Sequence, residues 1–251
     1  MTGASSGIGA ALARQYAARG AVLGLVGRRR DALQALCDSL PGQDHRMYVL
    51  DVRDRPALQA AARDFLAGGP VDRVIASAGI SAGTLAGEPE DFAVFQDIFD
   101  TNVLAMVSTF EPFIVPMRER RQGVLVGIGS VAGVRGLPGA GAYSGSKAAV
   151  RALCESLRVE LHGTGVRVVT LAPGFIATPM TAHNPYRMPF LMPVDRFAEQ
   201  AVRAIEAGDR YRGIPWPMGW VARLLRMVPD VIYPAVAARR KRKPRRGGRP
   251  G

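Results

Sequence analysis

Five short runs of this chain are rich in apolar residues along their whole length, and the segments between them repeat on a helical period. The runs are AVLGLVG (21–27), RMYVL (46–50), VDRVIAS (71–77), GVLVGIGS (123–130) and VRVVTLAP (166–173), and the segments at roughly 10–20, 30–40, 55–67, 90–119 and 143–162 carry Ala, Leu and Arg at helical spacing. A strand with one face in water alternates apolar and polar residues, whereas a strand without a polar face must be covered on both sides. Strand, helix, strand, repeated in this way predicts an α/β fold with a doubly wound parallel sheet between two layers of helices. Ligands of such sheets sit beyond the carboxyl ends of the strands, so the residues that follow each run carry the functional question.

With 251 residues, 48% of them hydrophobic, the chain can bury one sizeable core. The expected organisation is one domain over 1–210, an apolar and aromatic arm over 211–238, and a disordered basic tail over 239–251. The net charge of +12 invites a nucleic-acid reading, but eight Lys or Arg and no acid fall in RRKRKPRRGGRPG (239–251), and removing them leaves +4 on the rest. The charge describes the tail, and nucleic acid is not the expected partner. Cys37 and Cys154 have no CxxC spacing, and His45, His162 and His183 match no ligand pattern, so no metal is assigned. No stretch reaches the roughly 18 uncharged apolar residues of a membrane span, and no basic region followed by an apolar core marks a signal peptide. The expectation is a cytoplasmic protein.

After the runs stand the residues with chemical character. MTGASSGIG at the front has the glycines that let a backbone turn tightly and approach a pyrophosphate at a helix N-terminus, yet no strand precedes it. After 21–27 come Gly27, Arg28, Arg29 and Arg30, at the place where dinucleotide enzymes often carry an acid for the ribose hydroxyls. Arginine there suits a 2′-phosphate through its fork of donors, the alternative being a solvated helix start. Asp51-Val52 and Ala78-Gly79 follow the next two runs. The run at 123–130 ends on Ser130, and Tyr143 and Lys147 follow at i and i+4 on one helix face. A phenol with an ordinary pKa near 10 needs a neighbouring cation to work as an acid/base at neutral pH, and Lys147 supplies one.

In this order the residues are similar to those of the short-chain dehydrogenase/reductases, over about residues 2–210. The matching elements are TGASSGIG (2–9), Asp51-Val52, Ser77-Ala78-Gly79, Asn102 in DTNV, Ser130 in GSVAG, YSGSK from Tyr143 to Lys147, and Pro173-Gly174 with Thr178. The resemblance implies a Rossmann-like sheet and hydride transfer between a nicotinamide dinucleotide and an alcohol or ketone, and Arg28 after Gly27 makes NADP(H) the expected cofactor, with NAD as the lesser alternative. It makes Tyr143 the general acid/base, Ser130 the residue that orients the substrate oxygen, Lys147 the ribose ligand that lowers the tyrosine pKa, and Asn102 the holder of a proton relay. It places the cofactor against Gly3, Ser5, Ser6, Gly7, Ile8, Gly9, Arg28, Arg29, Asp51, Val52, Ala78, Gly79, Tyr143, Lys147, Pro173, Gly174 and Thr178. ASAG (76–79) stands where the family often reads NNAG, and the strand that should lead into the front turn is missing.

The lid segment TPMTAHNPYRMPFLMPVD (178–195) carries Met180, Met188, Phe190, Leu191 and Met192, which suit either a greasy pocket for an apolar substrate or plain packing. The arm from Trp216 on, with Trp220, Leu224, Leu225, Val228, Ile232 and Tyr233 among Arg223 and Arg226, suits a peripheral membrane contact over 216–246, or closure of the substrate cleft, or a subunit contact in a homo-oligomer. A catalytically idle protein that binds membrane or nucleic acid through its tail is the competing function, opposed by the intact Ser130, Tyr143 and Lys147. Finally, the chain is expected to start at an internal Met, with a gap between the strands at 21–27 and 71–77, or a rearrangement that closes the gap at the expense of the front turn.

Overall fold

The computed structural model of the protein describes residues 1–238 and 242–245. In chain order the main elements are α1 (Gly7–Ala17), β1 (Gly24–Gly27), α2 (Arg30–Ser39), β2 (Arg46–Val49), α3 (Arg55–Ala67), β3 (Arg73–Ala76), α4 (Phe92–Phe99), α5 (Ala105–Glu119), β4 (Gly123–Ile128), α6 (Gly141–Glu160), β5 (Val166–Pro173), β6 (Ile176–Ala177), β7 (Met192–Pro193), α7 (Val194–Ala207), β8 (Tyr211–Ile214), α8 (Trp216–Met227) and α9 (Tyr233–Ala237). All pairs are parallel: β1 with β2, and β3-β4-β5-β8 in that order. Every residue of β4 is buried, as a strand covered on both faces requires. The expected doubly wound sheet is therefore present. It also runs past residue 210, because Tyr211–Ile214 pair with Thr170–Pro173, so the start of the expected arm belongs to the sheet.

Local rules account for the covering helices. Asp54 accepts a hydrogen bond from the Ala57 amide at 3.0 Å and Pro56 fills the first turn of α3, which satisfies one orphan donor and removes another. In α7 the buried residues Phe197, Ala198, Ala201, Val202, Ala204 and Ile205 make one stripe at helical spacing. That stripe packs on α1, whose buried Ala10, Ala11, Ala13 and Ala17 are small enough for close approach. The continuous helical stretch Pro89–Glu119 has the length and composition of a membrane span. Its Met106, Phe110 and Met117 are buried among residues of β3, β4 and β5, as in a core helix.

Between β1 and β3 the sheet is almost open. Thr2 bridges Val26 on one side and Ala76 on the other, the Thr2 amide donates to Ile75 at 2.9 Å, and the Val26 amide donates to Met1 at 2.9 Å. Beneath this single rung lies a cavity of about 830 Å³ lined by Leu23, Gly24, Phe65, Val74 and Phe113 among others. The expected gap is present, and the front turn survives above it. Two residues suffice to hold the turn because the Ala4 amide donates to Val26 at 3.1 Å and the Thr2 hydroxyl accepts from the Ser77 amide at 3.2 Å.

Candidate active site

The turn Gly3–Gly9 hangs over the ends of β1 and β3 and leads directly into α1. A side chain at Gly9 would place its Cβ 2.2 Å from the Gly3 carbonyl oxygen, so only glycine lets this turn fold tightly onto the helix. No side chain caps α1 and its first turn holds no acid. Its leading amides therefore face the cavity in front of them with partial positive charge. That cavity, about 420 Å³, is lined by every residue expected to touch cofactor: the front turn, Arg28 and Arg29 after β1, Asp51-Val52 after β2, Ala78-Gly79 after β3, Tyr143 and Lys147 on α6, and Pro173, Gly174 and Thr178 after β5. Five of the six segments stand at the carboxyl end of a parallel strand or on the helix that follows, and the front turn is brought to them by the bridges of Thr2 to Val26 and Ala76.

The arginines have different tasks. Arg29 donates to the Ser5 carbonyl at 2.8 Å and so ties the front turn to the end of β1. Arg28 is solvent-exposed and lies 3.8 Å from Asp51. Asp51 is held mainly by Arg53, at 2.8 Å, whose hydrogen bonds keep its carboxyl below the ordinary range. The bare amides, glycines and guanidinium at the turn match the charge and shape of a dinucleotide phosphate chain.

Tyr143 and Lys147 lie one turn apart on α6. The Lys147 ammonium donates to the Ile128 carbonyl at 2.8 Å and stands 5.9 Å from the centre of the Tyr143 ring. It is buried, and loss of hydration lowers its pKa to about 8. Burial likewise pushes the Tyr143 phenol up, while a hydrogen bond from the Ser130 side chain pulls it down. The lowering expected of Lys147 is not among the influences on the phenol in the protein alone, where Ser130 is the group that opposes burial. Asn102 does not line the cavity. Buried in a π-helical turn at the head of α5, it receives the Ile80 amide at 2.8 Å and donates to Ser146 at 3.0 Å. Ser146 in turn donates to the Tyr143 carbonyl at 2.8 Å. A side chain at Gly79 would come 3.2 Å from the Asn102 oxygen and 3.6 Å from the Lys147 nitrogen, so the amide and the ammonium border one small space.

A second cavity of about 700 Å³ opens on the far side of Ser130 and Tyr143. The lid divides as both readings of it anticipated: Met180 and Phe190 line this cavity, whereas Met192 packs into the core beside Ile176. From the arm, Met218, Val221, Ala222 and Leu225 form one wall, so the inner face of α8 closes the cleft. Its outer face leaves Trp216, Trp220, Leu224 and Met227 exposed.

Missing from the sequence reading is a strap made of Arg242–Arg245. The Gly83 amide donates to the Pro244 carbonyl at 2.9 Å, Arg245 pairs with Asp91 at 2.9 Å and with Glu88 at 3.3 Å, and Lys243 donates to the Ser81 hydroxyl at 2.6 Å. The expectation of a disordered tail therefore does not describe these four residues, and the rest of 239–251 lies outside the described residues. A basic run has the same composition whether solvated or docked. Its acceptors, Ser81, Glu88 and Asp91, lie some 150 positions away in sequence, and no local signal pairs them.

The profile of the short chain dehydrogenases matches residues 1–187. An uncharacterized oxidoreductase from Myxococcus xanthus is 41% identical over 243 residues, covering 95% of each protein. Among solved structures, a short-chain dehydrogenase from Sphingobium yanoikuyae in complex with NADPH superposes with a TM-score of 0.77 at 26% identity, covering 92% of this chain and 95% of that one. An alcohol dehydrogenase from Thermococcus sibiricus, complexed with 5-hydroxy-NADP, superposes with a TM-score of 0.76 at 28% identity, covering 85% of this chain and 94% of that one.

Proposed function

The chain belongs to the short-chain dehydrogenase family, oxidoreductases that act with a nicotinamide dinucleotide on the CH–OH or C=O group of a small molecule, and we propose that it is an NADP(H)-dependent carbonyl reductase or alcohol dehydrogenase for an apolar substrate, with Tyr143 as acid/base. The observation that carries this reading is the position of Tyr143 in the wall shared by the two cavities, with Ser130 beside it and Lys147 on the cofactor side. The nicotinamide, when bound, supplies or takes up the hydride. Everything else falls to the chain. Burial keeps the Tyr143 phenol protonated, the state needed to donate a proton to a forming alkoxide. Ser130 holds the substrate oxygen beside that phenol, and Lys147 holds the ribose and stands as a cation near the ring. Met180, Phe190, Val221 and Leu225 keep water from the reacting atoms and receive an apolar body.

The NADP(H) preference rests on Arg28, which stands at the end of β1 where an acid would repel a 2′-phosphate. The two structural neighbours that hold NADPH and 5-hydroxy-NADP support it. A charge-assisted hydrogen bond corresponds to about tenfold in affinity or more. Initial rates of NADPH and NADH oxidation against a panel of apolar ketones, with dissociation constants for both cofactors, test the reading. NADPH should bind about tenfold tighter than NADH, and Arg28→Ala should remove most of that difference. Equal affinities or a preference for NADH would overturn the cofactor assignment, and no consumption with any ketone would overturn the substrate class.

A further inference from the structure

The strap brings a second cation to the catalytic tyrosine. Lys243 stands 5.6 Å from the centre of the Tyr143 ring and lines the substrate cavity, whereas Lys147, at 5.9 Å from the same ring, lines the cofactor cavity. Lys147 has an assigned task, and Lys243 has none. The ammonium of Lys243 donates to the neutral hydroxyl of Ser81, and among the described residues no carboxylate lies within ion-pair distance of it. The nearest acids of the strap's surroundings, Glu88 and Asp91, are taken by Arg245. Of the two arginines that line the cavity, Arg135 is engaged with Asp230 at 3.0 Å and stacks on Tyr233 at 4.1 Å, and Arg187 is exposed, whereas Lys243 is half-buried.

A half-buried ammonium in an apolar cavity without a counter-charge is costly. Loss of hydration pushes the Lys243 pKa below the ordinary lysine range, which is the same cost seen from the proton's side. The strap is nevertheless held against the site by three independent sets of contacts, at Gly83, at Ser81 and at Asp91 with Glu88. A side chain at Gly83 would put its Cβ 2.2 Å from the Lys243 carbonyl oxygen, so the close seating of the strap depends on the residue it rests on.

We propose that the substrate is an amphiphilic oxo or hydroxy acid whose carboxylate is bound by Lys243 and Ser81 while its apolar body lies against Phe190, Val221 and Leu225. One ammonium and one hydroxyl match the two oxygens and the single charge of a carboxylate. Because Lys243 and Tyr143 face the same cavity 5.6 Å apart, the carboxylate and the reacting carbon lie a few bonds from each other on one small molecule. The inference rests on the reading of this cavity as the substrate site, and it adds the charge that the apolar lining leaves unspecified.

The test uses binding, so that it stays readable if turnover is not found. Dissociation constants of 4-phenylbutyrate and of its neutral isostere 4-phenylbutyramide are measured by calorimetry on the full chain saturated with NADPH. The acid should bind about tenfold tighter than the amide or better. In Lys243→Met the acid-to-amide ratio should fall toward one, and Lys243→Arg should restore most of it. Equal affinities in the natural protein, failure of both compounds to bind, or a ratio that Lys243→Met leaves in place would overturn the proposal, since a lysine that only anchors the strap would weaken both ligands alike. Turnover of neutral ketones with no preference for the acid would overturn this inference and leave the oxidoreductase reading standing.

Discussion

On one side of the Tyr143 ring stands Lys147, one helical turn further along α6, and on the other stands Lys243, a hundred positions later in the chain and on a strap. The cavity proposed for the cofactor is built from backbone turns at strand ends, with Tyr143 and Lys147 delivered by α6. The cavity proposed for the substrate is built from the segment after β6, α8 and the strap. A cofactor common to many enzymes can be met by fixed backbone amides and local spacing, whereas the part that distinguishes one substrate from another is assembled from chain ends that tertiary packing brings together.

Three experiments press on this contrast. Tyr143→Phe removes the proposed acid/base from the wall between the two cavities, so turnover should fall by about 100- to 10,000-fold, the usual size of an acid/base contribution, while NADPH affinity stays within a few-fold. Steady-state rates with a fluorescence titration of the cofactor decide it, and a mutant within a few-fold of the natural protein would remove Tyr143 from its role.

The next concerns the lysine on the cofactor side. Burial lowers Lys147 to about 8, so the folded protein loses this proton before the unfolded chain does. Stability therefore rises with pH from about 8 toward the ordinary lysine range, because the cost of burying the ammonium is relieved there. Cofactor binding has the opposite sense: the charge that meets the ribose is present below about pH 8 and lost above it. NADPH affinity should be flat below that pH and weaken by up to about tenfold above it, a decline that Lys147→Met should abolish. A titration curve flat across this window would exclude Lys147 as a charged cofactor ligand.

The smallest effect concerns the slot below the cofactor turn. An apolar strand of about six residues placed ahead of Met1 would pair with β1 and β3 and fill the 830 Å³ cavity. Burial of a few side chains is largely offset by the cost of ordering the strand, so a net gain of about 2 kcal/mol, or about 4–8 °C in melting temperature, is expected. NADPH binding should tighten with it, since the turn is suspended from Thr2, and acid-to-amide discrimination at the substrate cavity should not change. An extended chain that melts no higher would mean that the single rung at Thr2 already gives the sheet its full stability.

Much of this molecule was legible in one dimension. The doubly wound sheet follows from apolar runs alternating with helical segments, since strands such as β4 must be covered on both sides, and the meeting of the motif residues at one cavity follows from their places at the carboxyl ends of those runs. Tyr143 and Lys147 could be paired because a helix repeats every 3.6 residues, which makes four positions in sequence a spatial neighbourhood. Even the slot could be read, from a turn that had no strand before it. Tertiary structure alone decided which lid residues face the cavity, that α8 closes it, that β8 extends the sheet beyond residue 210, and that Lys243 reaches Tyr143. Periodicity reports only what a segment does with its own neighbours. A contact between Lys243 and Ser81 is fixed by the placement of every element folded between them, and neither residue's surroundings in sequence carry a trace of it.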